Sequence, residues 1–142
     1  MKIRNLITDD MDVVSLTPAA SVLEATKLMV GTRRGSVLVV GDDSDDLGIF
    51  TERDLMVRVV AEGGSPKAIT LAEVMTTGLF TAHPEDKVQS VRREMRERHI
   101  RHLPVIEDGT VIAVLSMRDL LRADFEETRE DAAAMRGYIQ GG

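Results

Sequence analysis

One short pattern occurs twice in the chain, and this duplication constrains the fold more than any other feature of the sequence. Gly48–Leu55 (GIFTERDL) matches Ala113–Leu120 (AVLSMRDL), 65 residues further along. In both copies a short apolar run ends in a hydroxyl residue, and an Arg-Asp pair and a second apolar stretch follow. Such a repeat indicates two equivalent supersecondary units, each with an apolar face that it cannot bury alone.

Further blocks repeat in the same order before the motif. Ile7-Thr8 resembles Met75-Thr76. At a constant offset of 66 residues, the other matching blocks are Val22, Ala25 and Met29 with Val88, Val91 and Met95, and Val37–Val40 with Leu103–Ile106. Each half has roughly 60–65 residues, and domains of that size bury too little surface to be more than marginally stable. We therefore expect the two halves to share a core.

The repeat and the breaks in the apolar pattern predict three segments of the chain. They are residues 1–65, which include an N-terminal segment, residues 66–123, and a C-terminal helix and tail at 124–142. Glu62–Pro66 contains two glycines and a proline, so it is the predicted linker between the halves. Asp124–Tyr138 is predicted to form a separate charged helix that packs on its own domain or forms a dimer contact.

The predicted order of elements in each half is strand, helix, strand, strand, helix. Ser21 followed by Glu24 has the spacing of a capping box, so a helix is predicted to begin there. Gly31 is predicted to end that helix. The second half predicts a strand at Leu79–Ala82, a helix capped by Asp86, and a hairpin turned at Asp108-Gly109.

Composition narrows the classes of function. The formal net charge is −6 and the chain has one Tyr and three Phe, whereas nucleic-acid binding needs a basic face and stacking aromatics. The chain has no cysteine, so disulfides and thiol chemistry are excluded. Neither an apolar run of about 18 residues nor a signal-peptide core is visible. We therefore expect a cytoplasmic protein that binds neither membranes nor nucleic acid.

The ordered motifs resemble a tandem pair of cystathionine-β-synthase-type domains, known as a CBS pair or Bateman module. The two strand–Thr/Ser-x-x-Asp–Leu copies carry most of the resemblance. Further support comes from Ser21–Ala25, Gly35–Val40, Val74–Thr76 and Ile100–Val105. The match covers roughly residues 3 to 123, so the chain resembles a stand-alone CBS-pair protein.

The resemblance implies an α/β (α+β) fold in which two β-α-β-β-α repeats are related by a pseudo-twofold axis, with their sheets packed face to face. It also implies two clefts between the repeats that bind adenosine-containing ligands such as AMP, ADP, ATP or S-adenosylmethionine. No cofactor is required. A homodimer and an unknown regulated protein are the implied protein partners.

The acidic residue of each motif suits a ribose, because a carboxylate can accept hydrogen bonds from both vicinal hydroxyls. Asp54 and Asp119 are these candidates. Thr51 and Ser116 would stand near the phosphate, at the start of a helix whose free N–H groups favour an anion. The same spacing also fits a plain helix cap, and the two roles can coexist.

The cations near the motifs are predicted to bind phosphate, with a plainer alternative for each. Arg101 and His102 precede a predicted inner strand, and they are phosphate contacts or a solvated turn. The first half has Gly35-Ser36 at the matching positions, so the second site is expected to hold phosphate better unless Arg33 or Arg34 compensates. Arg53 and Arg118 are phosphate ligands or members of salt bridges.

The predicted residues form two ligand sites and no catalytic one. Adenine is expected against apolar side chains, with its edge read by backbone groups near Thr81-Ala82. The first site comprises Val14, Ser36, Thr51, Arg53 and Asp54, and the second comprises Phe80, Thr81, Ala82, Arg101, His102, Ser116, Arg118 and Asp119.

Neither a phosphate-binding Gly-x-x-x-x-Gly-Lys loop nor a credible metal or catalytic constellation is present in the sequence. The predicted function is therefore a non-catalytic sensor of adenine nucleotides that signals by a change of conformation. The alternative is a ligand-free structural dimerisation or protein-interaction module whose aspartates serve only as helix caps.

Overall fold

In the computed structural model, residues 1–9, 11–42 and 47–141 are described, with 124–128, 130–131 and 138–141 described by their backbone alone. The chain forms two compact units. One is Asp12–Phe80, and the other combines Met1–Met11 with Thr81–Gly142. Each unit contains both helices and strands, which confirms the predicted α+β class.

A three-stranded sheet forms the framework of the unit Asp12–Phe80. Its strands are β1 (Ser15–Leu16), β2 (Ser36–Val40) and β3 (Leu47–Thr51), in the order β1-β2-β3. β1 is parallel to the central strand β2 and β3 is antiparallel to it. On the other edge of β3, Thr76 forms an isolated antiparallel bridge with Ile49, so a later segment of the chain extends the sheet by one residue.

The core of this unit lies between the sheet and helices α1 (Val22–Thr32) and α3 (Leu71–Val74). The apolar positions of α1 recur at helical spacing and form its buried face. The residues of the core cluster are Val22, Ala25, Met29, Val37, Val39, Phe50, Val59, Leu71 and Val74.

Helix α1 begins as predicted and ends later than predicted. Ser21 and Glu24 form the capping box, with two hydrogen bonds of 3.1 Å. Gly31 does not end the helix, and Arg33, with φ 56°, takes the left-handed position beyond its last residue. A glycine in a helix costs only about 1 kcal/mol, which the packing of α1 outweighs.

Two further segments complete the unit. After β3 the chain forms helix α2 (Glu52–Asp54), which continues as the π-helix Leu55–Val60. The predicted linker Glu62–Pro66 lies inside the unit and not between the two units. Its last carbonyl, that of Pro66, accepts a hydrogen bond of 2.9 Å from the N–H of Leu23, which holds the segment against the start of α1.

A helix and a hairpin form most of the second unit. They are α4 (Val88–Glu97) followed by strands β4 (His102–Glu107) and β5 (Thr110–Ser116). Asp108 and Gly109 connect the strands, with φ 52° and 77°. Positive φ at both residues of a two-residue loop is characteristic of a type I′ turn, so the predicted Asp-Gly hairpin is confirmed.

Only one residue of the predicted strand Leu79–Ala82 is paired. Ala82 forms an isolated parallel bridge with Val105. In the first repeat the equivalent ladder includes a hydrogen bond of 3.0 Å from the N–H of Leu38 to the carbonyl of Val14. The second repeat has Pro104 at the position of Leu38, and proline has no N–H to donate. The strand prediction was therefore wrong in extent.

The predicted cap of α4 is also wrong. Lys87 is the N-cap residue and makes no side-chain capping hydrogen bond. Asp86 instead accepts a hydrogen bond of 2.8 Å from the N–H of His83, because its carboxylate caps the turn that precedes the helix.

The N-terminal segment packs against the second repeat and not the first. It forms a 3-10 helix at Ile3–Leu6, and Ile3 is fully buried. The N–H of Ile3 donates to the carbonyl of Asp86 at 2.9 Å, and the N–H of Arg4 donates to that of Pro84 at 2.8 Å. The predicted boundaries 1–65, 66–123 and 124–142 follow the repeat in the sequence. The compact units differ from them because these backbone hydrogen bonds tie the first residues to the second half.

An ionic cluster on the same segment predicts a pH dependence of stability. Lys2 and Arg4 each donate to Glu85 at 2.7 Å, which lowers the pKa of that carboxyl from 4.5 to about 2. A lowered pKa in the folded state contributes stability above pH 4.5 that is lost as pH falls toward 2. Glu85→Gln is expected to lower the urea midpoint slightly at neutral pH. This difference from wild type is expected to shrink between pH 4.5 and 2 and in high salt.

Glu97→Gln is the matched control, because Glu97 is exposed and the structure describes no ion pair for it. If both variants show the same pH dependence, the Glu85 cluster does not stabilise the N-terminal segment.

The C-terminal helix is continuous with the second motif. Helix α5 runs from Met117 to Gly141, which is 25 residues, so the predicted separate helix from Asp124 is wrong. No glycine or proline separates the motif from the tail, and nothing in the sequence therefore interrupts the helix. The side chains of 124–128 lie outside the described residues.

Candidate ligand sites at the two motif helices

The first motif forms a capping box at the start of α2. Thr51 ends β3, and its N–H and hydroxyl donate to Oδ2 of Asp54 at 3.0 and 3.2 Å. The N–H of Asp54 donates back to the hydroxyl of Thr51 at 3.3 Å. The sharp turn from strand to helix is stabilised by these reciprocal bonds. The helix-cap interpretation of this motif is thus correct as geometry.

The second carboxylate oxygen of Asp54 is also engaged. The hydroxyl of Thr76 donates to Oδ1 at 3.3 Å, and Nε of Arg58 lies 3.6 Å from the same oxygen. Asp54 is 8% exposed and is the one charged residue found buried among the described side chains. A carboxylate has about four acceptor positions, and these contacts occupy all of them.

The structure brings most of the first predicted site together. Ser36 lies directly opposite Thr51 in the β2–β3 ladder. Val14 precedes β1, on the other side of β2, and is half-buried. The guanidinium of Arg53 is exposed, and it has no hydrogen bond or ion pair within the described part of the chain.

The second motif forms the same capping box with one difference. The N–H and hydroxyl of Ser116 donate to Oδ2 of Asp119 at 2.8 and 3.0 Å, and the N–H of Asp119 donates to the hydroxyl at 3.2 Å. Asp119 is half-buried. Its Oδ1 accepts no hydrogen bond from any described residue. About two acceptor positions are therefore open at Asp119.

The predicted cations lie beside this second motif. His102 is directly opposite Ser116 in the β4–β5 ladder. The carbonyl of Arg101 accepts a hydrogen bond of 2.9 Å from the N–H of Met117, the first residue of α5. The side chain of Arg101 is exposed and that of His102 is half-buried. The backbone thus holds both residues next to the N-terminus of a long helix.

The other predicted residues of the second site differ in exposure. Ala82 is buried in its bridge with Val105, and Thr81 is half-buried. Arg118 is exposed in the first turn of α5. Phe80 is half-buried and is the last residue of the unit Asp12–Phe80.

Sequence reasoning missed two residues that contact the motif carboxylate. Arg58 follows Asp54 at i,i+4, and this spacing is a signal for a salt bridge on a helix. Thr76 was noted only as part of the repeated pattern. Its contact with Asp54 joins residues 22 positions apart and depends on pairing at the edge of β3.

Two absences apply to the described residues. They contain no group of three or more histidine and acidic side chains placed to hold a metal ion. In the same part of the chain, no helix combines the length and apolarity needed to cross a bilayer.

The duplicated α+β arrangement, with a hydroxyl–carboxylate cap at the end of an inner strand in each copy, defines a tandem-repeat module. A family model for the CBS domain matches residues 3–61 and again residues 71–126. The chain belongs to the CBS-domain family, and it carries two copies of the domain.

A curated relative and two solved structures place the chain within this family. It is 36% identical over 126 residues to the CBS domain-containing protein CBSX3, mitochondrial, of Arabidopsis thaliana, covering 86% of this chain and 61% of that protein. The chain thus spans about three fifths of that relative's length. The hexameric CBS-CP12 protein from bloom-forming cyanobacteria matches with a TM-score of 0.79 and 28% identity, covering 98% of this chain and 88% of the other.

A third similarity concerns the fold alone. The CBS domain protein PAE2072 from Pyrobaculum aerophilum, solved in complex with AMP, has a TM-score of 0.74 and 24% identity to this chain. The match covers 84% of this chain and 89% of that one. Together these similarities confirm the predicted family.

Proposed function

We propose that this chain is a non-catalytic regulatory module that binds an adenosine-containing ligand of the AMP, ADP, ATP or S-adenosylmethionine class. The observation that carries the proposal is the carboxylate of Asp119. It is held in place by Ser116 through Oδ2, while its Oδ1 accepts no hydrogen bond from a described residue. A fixed carboxylate with two open acceptor positions suits the vicinal hydroxyls of a ribose.

The surroundings of Asp119 suit the phosphate of the same ligand. The first N–H groups of α5 and the positive end of its dipole favour an anion. The backbone holds Arg101 and His102 next to this helix start, and Arg118 is exposed in its first turn. Sugar and phosphate recognition would therefore come from one strand-to-helix turn.

The proposal places the adenine against the apolar side chain of Phe80 and near the backbone of Thr81 and Ala82. In the first repeat the corresponding residues are Val14 and the two that follow it. Because Val14 lies within the family pattern shared by both repeats, we propose a second, weaker site there, with Ser36, Thr51, Arg53 and Asp54. PAE2072 was solved with AMP, which is consistent with a ligand of this size in the fold.

Signalling would follow from unequal affinity of the ligand for two conformations. A bound ligand shifts such an equilibrium only by that difference, typically about 1–3 kcal/mol in allosteric systems. In this proposal the module acts as a homodimer and changes how it contacts a regulated protein. The cytoplasmic location stays a prediction.

One observation favours the second candidate, a structural dimerisation module without ligand. Both motif aspartates form capping boxes, and Asp54 has no open acceptor position. A protein whose aspartates serve only as caps would need no ligand.

A thermal-shift panel separates the two candidates. A ligand at 100 times its Kd is expected to add about 2.7 kcal/mol of stability and raise Tm accordingly. The panel comprises AMP, ADP, ATP, S-adenosylmethionine and NADH at constant ionic strength. If none of them raises Tm, the structural module is the better description.

The matched ligand control is the 2′-deoxy form of AMP. It lacks one ribose hydroxyl, so it is expected to bind about tenfold more weakly than AMP, because one charge-assisted hydrogen bond is worth at least about 1.4 kcal/mol. Equal binding of the two would contradict ribose recognition by Asp119.

A further inference from the structure

The segment Met75-Thr76 is docked on the outer edge of β3 and held there by backbone hydrogen bonds. The N–H of Ile49 donates to the carbonyl of Thr76, and the N–H of Thr76 donates to that of Ile49, both at 2.9 Å. The neighbouring Gly48 makes this approach possible. A Cβ at Gly48 would lie 2.7 Å from Sδ of Met75 and 3.2 Å from the carbonyl oxygen of Thr76, so any side chain there would push the segment away.

Arg58 holds the same segment from the π-helix. Its Nη1 donates to the carbonyls of Val74 and Met75 at 3.1 and 3.2 Å, while its Nε lies 3.6 Å from Oδ1 of Asp54. The docked segment, the arginine and the motif carboxylate therefore form one connected group within the unit Asp12–Phe80.

The second repeat has no such group. Ala113 stands at the position of Gly48 and is fully buried. Within the described residues, no isolated bridge pairs with β5 on the edge away from β4. Oδ1 of Asp119 likewise receives no hydrogen bond there. The methyl group of Ala113 accounts for this difference, since it occupies the space that a docked segment would need.

We infer that Thr76 and Arg58 set the affinity of the first site by occupying the acceptor positions of Asp54 that a ribose would need. This inference rests on the proposed function, because it concerns the same ligand. A ligand reaches Asp54 only after the hydroxyl of Thr76 moves away. The second site is therefore filled first. Occupation of the first site would release the segment that leads from one compact unit to the other.

The experiment measures AMP binding at the first site by titration calorimetry, in an Asp119→Asn background that weakens the second site. Thr76→Val keeps the shape of the side chain and removes the hydroxyl that contacts Asp54. It is expected to tighten AMP binding at the first site about tenfold, which corresponds to about 1.4 kcal/mol. Gly48→Ala is expected to act in the same direction by displacing the docked segment.

Arg58→Met provides a second route if Thr76→Val or Gly48→Ala fails to fold. Arg58 is largely exposed, with 47% of its side-chain surface accessible, so its replacement leaves the core intact. It is expected to tighten AMP binding in the same way. Thr26→Val is the control, because the hydroxyl of Thr26 donates only to the carbonyl of Val22, at 2.8 Å. This variant is expected to leave AMP binding unchanged.

The outcomes distinguish the two proposals. Unchanged or weaker AMP binding in folded Thr76→Val and Arg58→Met variants, with normal binding at the Asp119 site of the wild type, overturns the gate and leaves the proposed function standing. No AMP binding by the wild type or any variant, together with no response to the rest of the ligand panel, overturns the proposed function as well.

Discussion

Replacing Asp54 by alanine is expected to lower the free energy of unfolding by about 2–3 kcal/mol. Loss of a helix cap costs about 1 kcal/mol. The change also leaves the hydroxyl of Thr76 and the N–H of Thr51 without their acceptor in a poorly solvated place, which adds about 1–2 kcal/mol. Urea unfolding at neutral pH without nucleotide measures the effect.

The control is the same substitution at the equivalent position of the other repeat. Asp119→Ala removes a capping box but no contact from outside its own motif. It is expected to cost only about 1 kcal/mol. Equal losses at the two positions would show that the contacts of Asp54 with Thr76 and Arg58 contribute nothing to stability.

Asp119→Asn is expected to weaken AMP binding about 100-fold, or roughly 2.7 kcal/mol. Asparagine keeps the shape of the side chain and can still accept from the N–H of Ser116. It loses the negative charge that makes the hydrogen bonds from both ribose hydroxyls strong, since charge-assisted bonds are about twice as strong as neutral ones. Titration calorimetry at fixed salt measures the change in Kd.

Asp86→Asn is the matched control for this prediction. Asp86 belongs to the same compact unit, and its carboxylate also caps a turn by accepting from a backbone N–H, that of His83. The variant has the same change in net charge, so it is expected to bind AMP as the wild type does. Equal loss in both variants would mean that overall charge, and not ribose recognition, determines affinity.

The two repeats share a sequence pattern, but they differ in what surrounds the carboxylate. The pattern predicted both motifs and both capping boxes, and it placed Ser36 and His102 at equivalent positions opposite the motif hydroxyls. It also suggested that the second site would hold phosphate better, from Arg101 and His102 in place of Gly35-Ser36. The structure adds a separate difference at the carboxylates themselves, which the sequence analysis did not consider.

Errors in the sequence analysis have local and non-local causes. The strand at Leu79–Ala82 shrinks to one bridge because Pro104, more than 20 positions away, cannot donate to it. The helix from Met117 is continuous because the motif and tail contain no breaking residue between them, and here a local feature was overlooked. Gly31 was given too much weight as a helix stop.

The sequence by itself determined the duplication, the CBS-type family, the capping boxes and the Asp-Gly hairpin. These features depend on residues within a few positions of each other, so spacing alone specifies them. Only the tertiary structure decided that Thr76 occupies Asp54 and that Lys2 and Arg4 reach Glu85, across 22, 83 and 81 positions. Contacts at such separations depend on which strand edge is open and where a methyl group fits, and a periodic pattern carries no information about either.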